Sequence, residues 1–287
     1  MKVTPPLNYT GSKLKYLGDI LPLFPQNVTH FAEPFFGGGA VGYNVECPRV
    51  FANDILEVLI RTHQALIDLN ANDFISRVKT YAPHKEDQQG YNELRAEFNE
   101  RYWNDPFRFF ALLQSCTNNM IRYNKEGGFN QTHGKRTITP TTERKIHDFK
   151  RAISSTNTSL EFRAWPYEGF LEWILETLPV DDTFVFFDPP YLISEAGYNA
   201  FWTYEMESNL YEWLHTLDEK GYRWGMTNFE LHKGKRNSGF DRISKYNKRR
   251  INTNYGKVSR KNVGETTEWY VCNYPIPANT QAQTLFT

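Results

Sequence analysis

Phe31-Ala32-Glu33-Pro34-Phe35-Phe36-Gly37-Gly38-Gly39 is the stretch on which the fold turns, and its context supplies the rest. A strand over residues 29–32 leads into a glycine turn, and residues 40–45 predict the start of a helix. Residues 49–52 predict a second strand, closed by Asn53-Asp54, and residues 55–69 a second helix. Strand, helix, strand, helix in this order argues a parallel, doubly wound α/β sheet. Ahead of it, Gly11-Ser12-Lys13-Leu14 predicts a helix running to Leu23 with Ser12 as its cap.

From about residue 73 to 151 no strand alternation is evident, and helical, aromatic-rich pieces such as 91–103 and 107–120 take over. The glycine-rich polar stretch 124–136 reads as an ordered recognition loop. The sheet pattern resumes near Leu160. Thr183-Phe184-Val185-Phe186-Phe187 predicts a buried strand that ends at Asp188-Pro189-Pro190-Tyr191, where neither proline donates a hydrogen bond and both fix φ. A carboxylate and an aromatic are thereby delivered beyond a strand's carboxyl end, where open α/β sheets bind ligands. A helix over 205–220, a strand over 222–227 and a closing hairpin of 249–254 with 267–273 complete the pattern. The expected division is a catalytic unit over 1–57 and 152–274, an inserted helical unit over 58–151, and an irregular tail over 275–287.

The chain holds 33 basic and 33 acidic residues, but residues 233–261 alone carry eleven Lys or Arg against Asp241, a local charge of +10 balanced by −10 elsewhere. Such a segment suits either a polyanion-binding face or a solvated loop. No apolar run approaches the roughly 20 residues of a membrane span, nor is there a signal-peptide core, so a cytoplasmic location is expected. Cys47, Cys116 and Cys272 are far apart, with no CxxC pair, and read as reduced core residues; no metal site is expected.

The glycine turn lets a ligand approach the backbone, and an acid ending the next strand suits ribose hydroxyls. There is neither a GxGxxG fingerprint nor a GxxxxGK[ST] loop, so a cofactor without a phosphate chain fits better. S-adenosylmethionine is one.

Asn8-Tyr9-Thr10-Gly11-Ser12-Lys13, residues 31–39, Asn53-Asp54 and Asp188-Pro189-Pro190-Tyr191, in this order, resemble the motifs of the Dam-type (alpha-group, D12 class) DNA adenine N6-methyltransferases. Residues 119–124, Phe129, 134–137, Tyr198-Asn199 and Phe201-Trp202 extend the similarity, most closely toward the T-even phage members. The resemblance implies a Rossmann-like methyltransferase fold with an inserted target-recognition region. It also implies methyl transfer from S-adenosylmethionine to a flipped adenine in double-stranded DNA, with GATC or a related short site as target. Tyr9, Lys13, Glu33, Pro34, the 35–39 turn, Asp54, Ile55, Tyr167 and Asp188 would line the cofactor site, and Asp188, Pro189, Pro190 and Tyr191 would be catalytic. Asn8, Arg95, Thr117, Asn118, Met120, Arg122, Asn124, Thr132, Lys135, Arg136, Tyr198, Arg249, Arg250, Arg260 and Lys261 would meet DNA. The chain departs from the pattern at Gly169, where relatives carry an acid, at Thr117, where they carry an aromatic, at Thr132, where they carry a proline, and at the uncharged Asn8. An amino-methyltransferase acting on cytosine N4 or on RNA adenine shares this scaffold, and a DNA-binding module without activity is the alternative from another class. Oligomeric state is left open, a monomer being one admissible case.

Overall fold

The computed structural model describes residues 2–194, 202–251 and 264–276. One sheet organises it. Strands β1 (His30–Glu33), β2 (Arg49–Asn53), β3 (Ser159–Arg163), β4 (Thr183–Phe187) and β5 (Arg223–His232) are parallel; β6 (Lys235–Arg236), β7 (Asn247–Ile251) and β8 (Thr267–Cys272) complete it in antiparallel pairings. The order across the sheet is β3-β2-β1-β4-β5-β8-β7, with β6 paired to β5. Winding runs outward from β1 to β3, then returns to place β4 on the other side of β1. That reversal is a topological switch point, so Glu33 at the end of β1 and Asp188 just past β4 face one crevice.

β4 is apolar without interruption because both of its faces are covered. Phe184 and Phe186 pack with Leu17, Ile20, Leu23 and Phe24 on one side, while Val185 and Phe187 meet Leu171, Ile174, Leu210 and Leu214 on the other. The covering helices on this second side are α7 (Tyr167–Thr177) and α8 (Tyr204–Glu219), and Leu17 and Ile20 belong to the single-turn α1 (Leu17–Ile20). At the far end Phe36, Tyr43 and Ala52 share a core with α2 (Glu57–Asp68), α3 (Ala71–Tyr81), α4 (Gln88–Glu100), α5 (Pro106–Ser115) and α6 (Pro140–Ser154). α5 is central there, buried at every position from Phe109 to Ser115.

Several expectations are corrected. The helix expected over 11–23 is broken into 3-10 turns at Lys13–Lys15 and Leu21–Leu23 around α1, with Ser12 accepting from the Leu14 amide; Pro22 cannot donate to a continuing helix. The helix expected over 40–45 is only a pair of turns, with Tyr43 N donating to Gly39 O and Val45 N to Val41 O, before the chain leaves at Cys47-Pro48. The Asn44 side chain, bonded to Val3 and to Ala40 O, fastens that stub. The helix expected to reach Met120 stops at Ser115, and β5 extends five residues beyond Thr227 past an irregularity between Phe229 and Leu231. β7 begins two residues before the expected 249, residues 252–254 of that expected strand lie outside the described residues, and the remaining strands fall within a residue or two of expectation. All three cysteines are buried and unpaired.

Candidate active site

Asp188 begins where β4 ends, and the register sets its neighbours. Phe187 pairs with Met226, so Thr227 of β5 lies beside Asp188 and its hydroxyl donates to Asp188 Oδ1 at 2.7 Å. Lys13 Nζ reaches the same oxygen at 2.7 Å, and the Tyr191 hydroxyl lies 3.1 Å from it. Two donors, Lys13 and Thr227, thus converge on Oδ1 with the Tyr191 oxygen close beside it, while no described residue hydrogen-bonds Oδ2. A carboxylate gripped on one side presents a fixed acceptor on the other.

Beneath this lies Glu268 of β8, 1% exposed. Its Oε1 accepts from the Tyr191 hydroxyl at 2.7 Å and lies 3.6 Å from Lys13 Nζ; its Oε2 has no partner among the described residues. Burial raises the Glu268 pKa, opposed by the Lys13 charge. Lys13 itself is 4% exposed, a burial that an ammonium tolerates only with counter-charges. It also lies over the Tyr191 ring, 4.8 Å from the centroid, and Tyr191 meets Phe229 edge-on at 4.6 Å. Lys13, expected among the cofactor-lining residues, therefore directs its charge at Asp188.

Glu33 is also buried, with Oε2 unpartnered among the described residues, and burial together with the like charge of Asp188 holds its carboxyl well above the usual range. The Asp54 oxygens each accept one backbone amide, Oδ2 from Gly37 at 2.9 Å and Oδ1 from Leu56 at 3.0 Å, so the acid ties the glycine turn to the start of α2 and has only its remaining lone pairs for ribose. The turn needs glycine for a reason besides ligand approach. A Cβ on Gly38 would stand 2.6 Å from Tyr9 Cβ, and one on Gly37, whose φ is +50°, would stand 2.8 Å from Tyr9 Cε1.

Two features were not legible in the sequence. His63 of α2 is fully buried behind the turn: Gly37 O can only accept, so Nε2 carries the proton and donates at 2.8 Å, leaving Nδ1 to accept from the Tyr43 hydroxyl at 2.9 Å. Burial lowers its pKa to about 4. The second is that Tyr167 and Phe35, each expected at the cofactor, gather with Trp202 into one aromatic wall, 5.3–5.9 Å apart, with the Tyr167 hydroxyl bonded to Met206 O and Asn209. Ile55, 73% exposed, stands at a cleft of about 380 Å³ that Trp103 and Tyr123 also line.

The expected recognition residues gather on an irregular hairpin, tied by bridges Cys116–His133 and Tyr123–Phe129. Thr117 pairs with Thr132 through backbone and hydroxyls. Asn118, at φ +60°, takes a hydrogen bond from Asn8 Nδ2 at 3.2 Å, joining the N-terminal segment to the hairpin. Arg122 is held by Asn130, Arg136 by Asn119 and Arg95 by Gln131 O. Asn124 closes the hairpin's tip by accepting from Gly128 N, Lys135 sits at φ +52°, and Met120 is half-buried. In the basic segment Arg236 and Arg242 are paired with Asp241 and Glu212, whereas Arg249 and Arg250 lie on β7. Tyr198, Arg260 and Lys261 fall outside the described residues. Among the described residues no His, Cys, Asp and Glu group suits a metal ion, and no helix is long and apolar enough to cross a membrane.

Comparison with known proteins is in keeping with this site. The chain is 28% identical over 283 residues to the type II methyltransferase M.FokI of Planomicrobium okeanokoites, covering 94% of this chain and 42% of that one. It is 26% identical over 259 residues to M.CviBI of Paramecium bursaria Chlorella virus NC1A, covering 80% and 94%. A DNA adenine methylase of Vibrio cholerae serotype O1 is 30% identical over 132 residues, covering 45% and 47%. The chain spans about two fifths of the length of the first curated relatives it matches. Type II methyltransferases thus stand beside a DNA adenine methylase, and the narrower likeness to T-even phage members is not singled out. A family model described as D12 class N6 adenine-specific DNA methyltransferase matches residues 9–261, and the chain belongs to that family.

Proposed function

We propose that the protein transfers a methyl group from S-adenosylmethionine to the N6 amine of an adenine flipped out of duplex DNA, at GATC or a related short site. The observation that carries this reading is the clamp on Asp188: Lys13 and Thr227 both hold Oδ1, which leaves Oδ2 toward the ligand side. An adenine amine is a poor nucleophile because its lone pair is delocalised into the ring. Accepting its N–H groups at Asp188 Oδ2 and at the Pro189 carbonyl favours a pyramidal nitrogen whose lone pair is free to attack. Because the reacting atom is inaccessible within a duplex, the base must leave the stack; Tyr191, held by Glu268 and covered on one face by Lys13, is rigid enough to receive it.

The residues fit the cofactor. Glu33 offers a buried carboxylate oxygen that lacks a donor, suited to the ammonium end; the remaining lone pairs of Asp54 suit ribose; and Tyr167, Phe35 and Trp202 form an aromatic wall suited to a purine. When bound, the cofactor supplies a methyl group on cationic sulfur. Tyr9 and the glycine turn shape that side of the crevice. Residues 58–151 serve as the recognition unit, in which Arg122 and Arg136, each pre-oriented by an asparagine, suit the O6 and N7 edge of guanine.

The test is Asp188→Asn. Incubated with duplex DNA and S-adenosylmethionine, wild type yields N6-methyladenine by mass spectrometry of digested DNA. The variant loses at least 100-fold in rate while cofactor binding persists. N4-methylcytosine in place of N6-methyladenine, or a fully active variant, refutes the assignment, and sequencing of methylated adenines reports the site.

A further inference from the structure

We propose that Glu268 is the counter-charge of Lys13: by holding the Lys13 ammonium and the Tyr191 hydroxyl on one oxygen, it leaves the Asp188 charge available to the ligand side. The inference rests on the proposed methyl transfer and adds a positioning residue to it. Glu268 lies outside the family match, which ends at residue 261, and comes from the antiparallel part of the sheet, 80 residues beyond Asp188.

The geometry makes the need plain. Lys13 contacts Asp188 at 2.7 Å and Glu268 at 3.6 Å, and it also donates to Gly11 O at 3.3 Å. Without Glu268 at 3.6 Å, the Lys13 ammonium would bear more strongly on the carboxylate proposed to accept the adenine amine and face a cationic cofactor. A second buried anion corrects that balance, and breaking such a pair leaves an uncompensated charge in a poorly solvated place. Glu268 is suited to the part by position. Its strand neighbours, Phe229 across β5 and Ile251 across β7, are apolar, so among the described residues the charged and titratable groups facing it are Lys13, Asp188 and Tyr191. Its orphaned Oε2 shows that the carboxylate is not kept there by a saturated hydrogen-bond network of its own.

The experiment compares full-length wild type with Glu268→Gln, which keeps the shape and an acceptor for Tyr191 but not the charge, and with Glu268→Asp, which keeps the charge. Calorimetric affinities for S-adenosylmethionine and for S-adenosylhomocysteine, which lacks the sulfonium charge, are measured beside kcat on a duplex oligonucleotide. Glu268→Gln is expected to lower kcat at least tenfold and to shift the affinity ratio against the cationic ligand at least threefold; Glu268→Asp preserves the ratio. The acid limb of the wild-type pH profile lies above the ordinary carboxylate range and changes in Glu268→Gln, what remains of it belonging to Glu33. If Glu268→Gln does not fold, the ratio is followed in wild type as pH is lowered and falls as Glu268 protonates. A glutamine variant within twofold of wild type, equal changes in both variants, or a ratio independent of pH overturns the proposal. A wild type that shows the charge-dependent ratio yet methylates no adenine refutes the substrate reading and leaves the Glu268 role standing.

Discussion

Replacing His63 with leucine tests whether the glycine turn is held from behind. The imidazole donates to Gly37 O at 2.8 Å and accepts from the Tyr43 hydroxyl at 2.9 Å, with no exposed surface. Leucine fills most of the volume but leaves both polar groups buried and unpaired, at about 1–3 kcal/mol each. At pH 7.5 the variant should therefore be roughly 2–5 kcal/mol less stable to urea. The pH dependence sharpens the test. The His63 pKa is near 4 in the folded chain, against an ordinary 6.5, so the unfolded chain binds a proton that the folded chain refuses. The neutral-imidazole stabilisation is complete above about pH 6.5 and is lost as pH falls toward 4, by up to roughly 3 kcal/mol over that window. Leucine has no such term, so the stability gap should narrow steadily between pH 7.5 and pH 4.5, other carboxyl groups cancelling in the difference. Paired urea titrations measure it. A gap that stays constant over this range refutes a neutral, buried His63, and a gap below about 1 kcal/mol at pH 7.5 refutes the anchoring role.

Gly39→Ala should cost about 2–5 kcal/mol, since φ is +74° and the new Cβ would stand 2.5 Å from Tyr43; Gly18→Ala, with nothing within 4 Å, should be near neutral in the same melting experiment. Neutralising Lys248, Arg249 and Arg250 of β7 should weaken binding to all DNA sequences and lower the slope of log affinity against log salt by roughly 2–3. An unchanged slope would mean that this strand is merely solvated.

The parallel half of the sheet was legible because its strands are short, apolar and punctuated: residues 183–187 were recovered as a strand without a residue's error, and Glu33 and Asp188 fell at strand ends facing one crevice. The helix expected over 40–45 failed because the stub is fastened by long-range bonds from Asn44 to Val3, which no local pattern reveals. His63 and Glu268 were missed for the same reason. A lone histidine in a helix or a lone glutamate in a strand carries no periodic signal, and their importance comes from Gly37, 26 residues away, and from Tyr191, 77 residues away. The hairpin tied by the Cys116–His133 and Tyr123–Phe129 bridges lay between these cases, since its glycines and asparagines marked a turn but not which asparagine holds which arginine.

The position of β8 bears on how the enzyme comes into being. It lies between β5 and β7, yet both of those precede it in the chain, so β7 has no place beside β5 through β8 until residues 267–272 are made. A chain made only as far as residue 251 already holds Asp188-Pro189-Pro190-Tyr191 and the glycine turn, but lacks Glu268 beneath the aspartate. The buried anion beside Lys13 is therefore among the last parts of this site to be made, and it takes its place only when β8 pairs with β5 and β7.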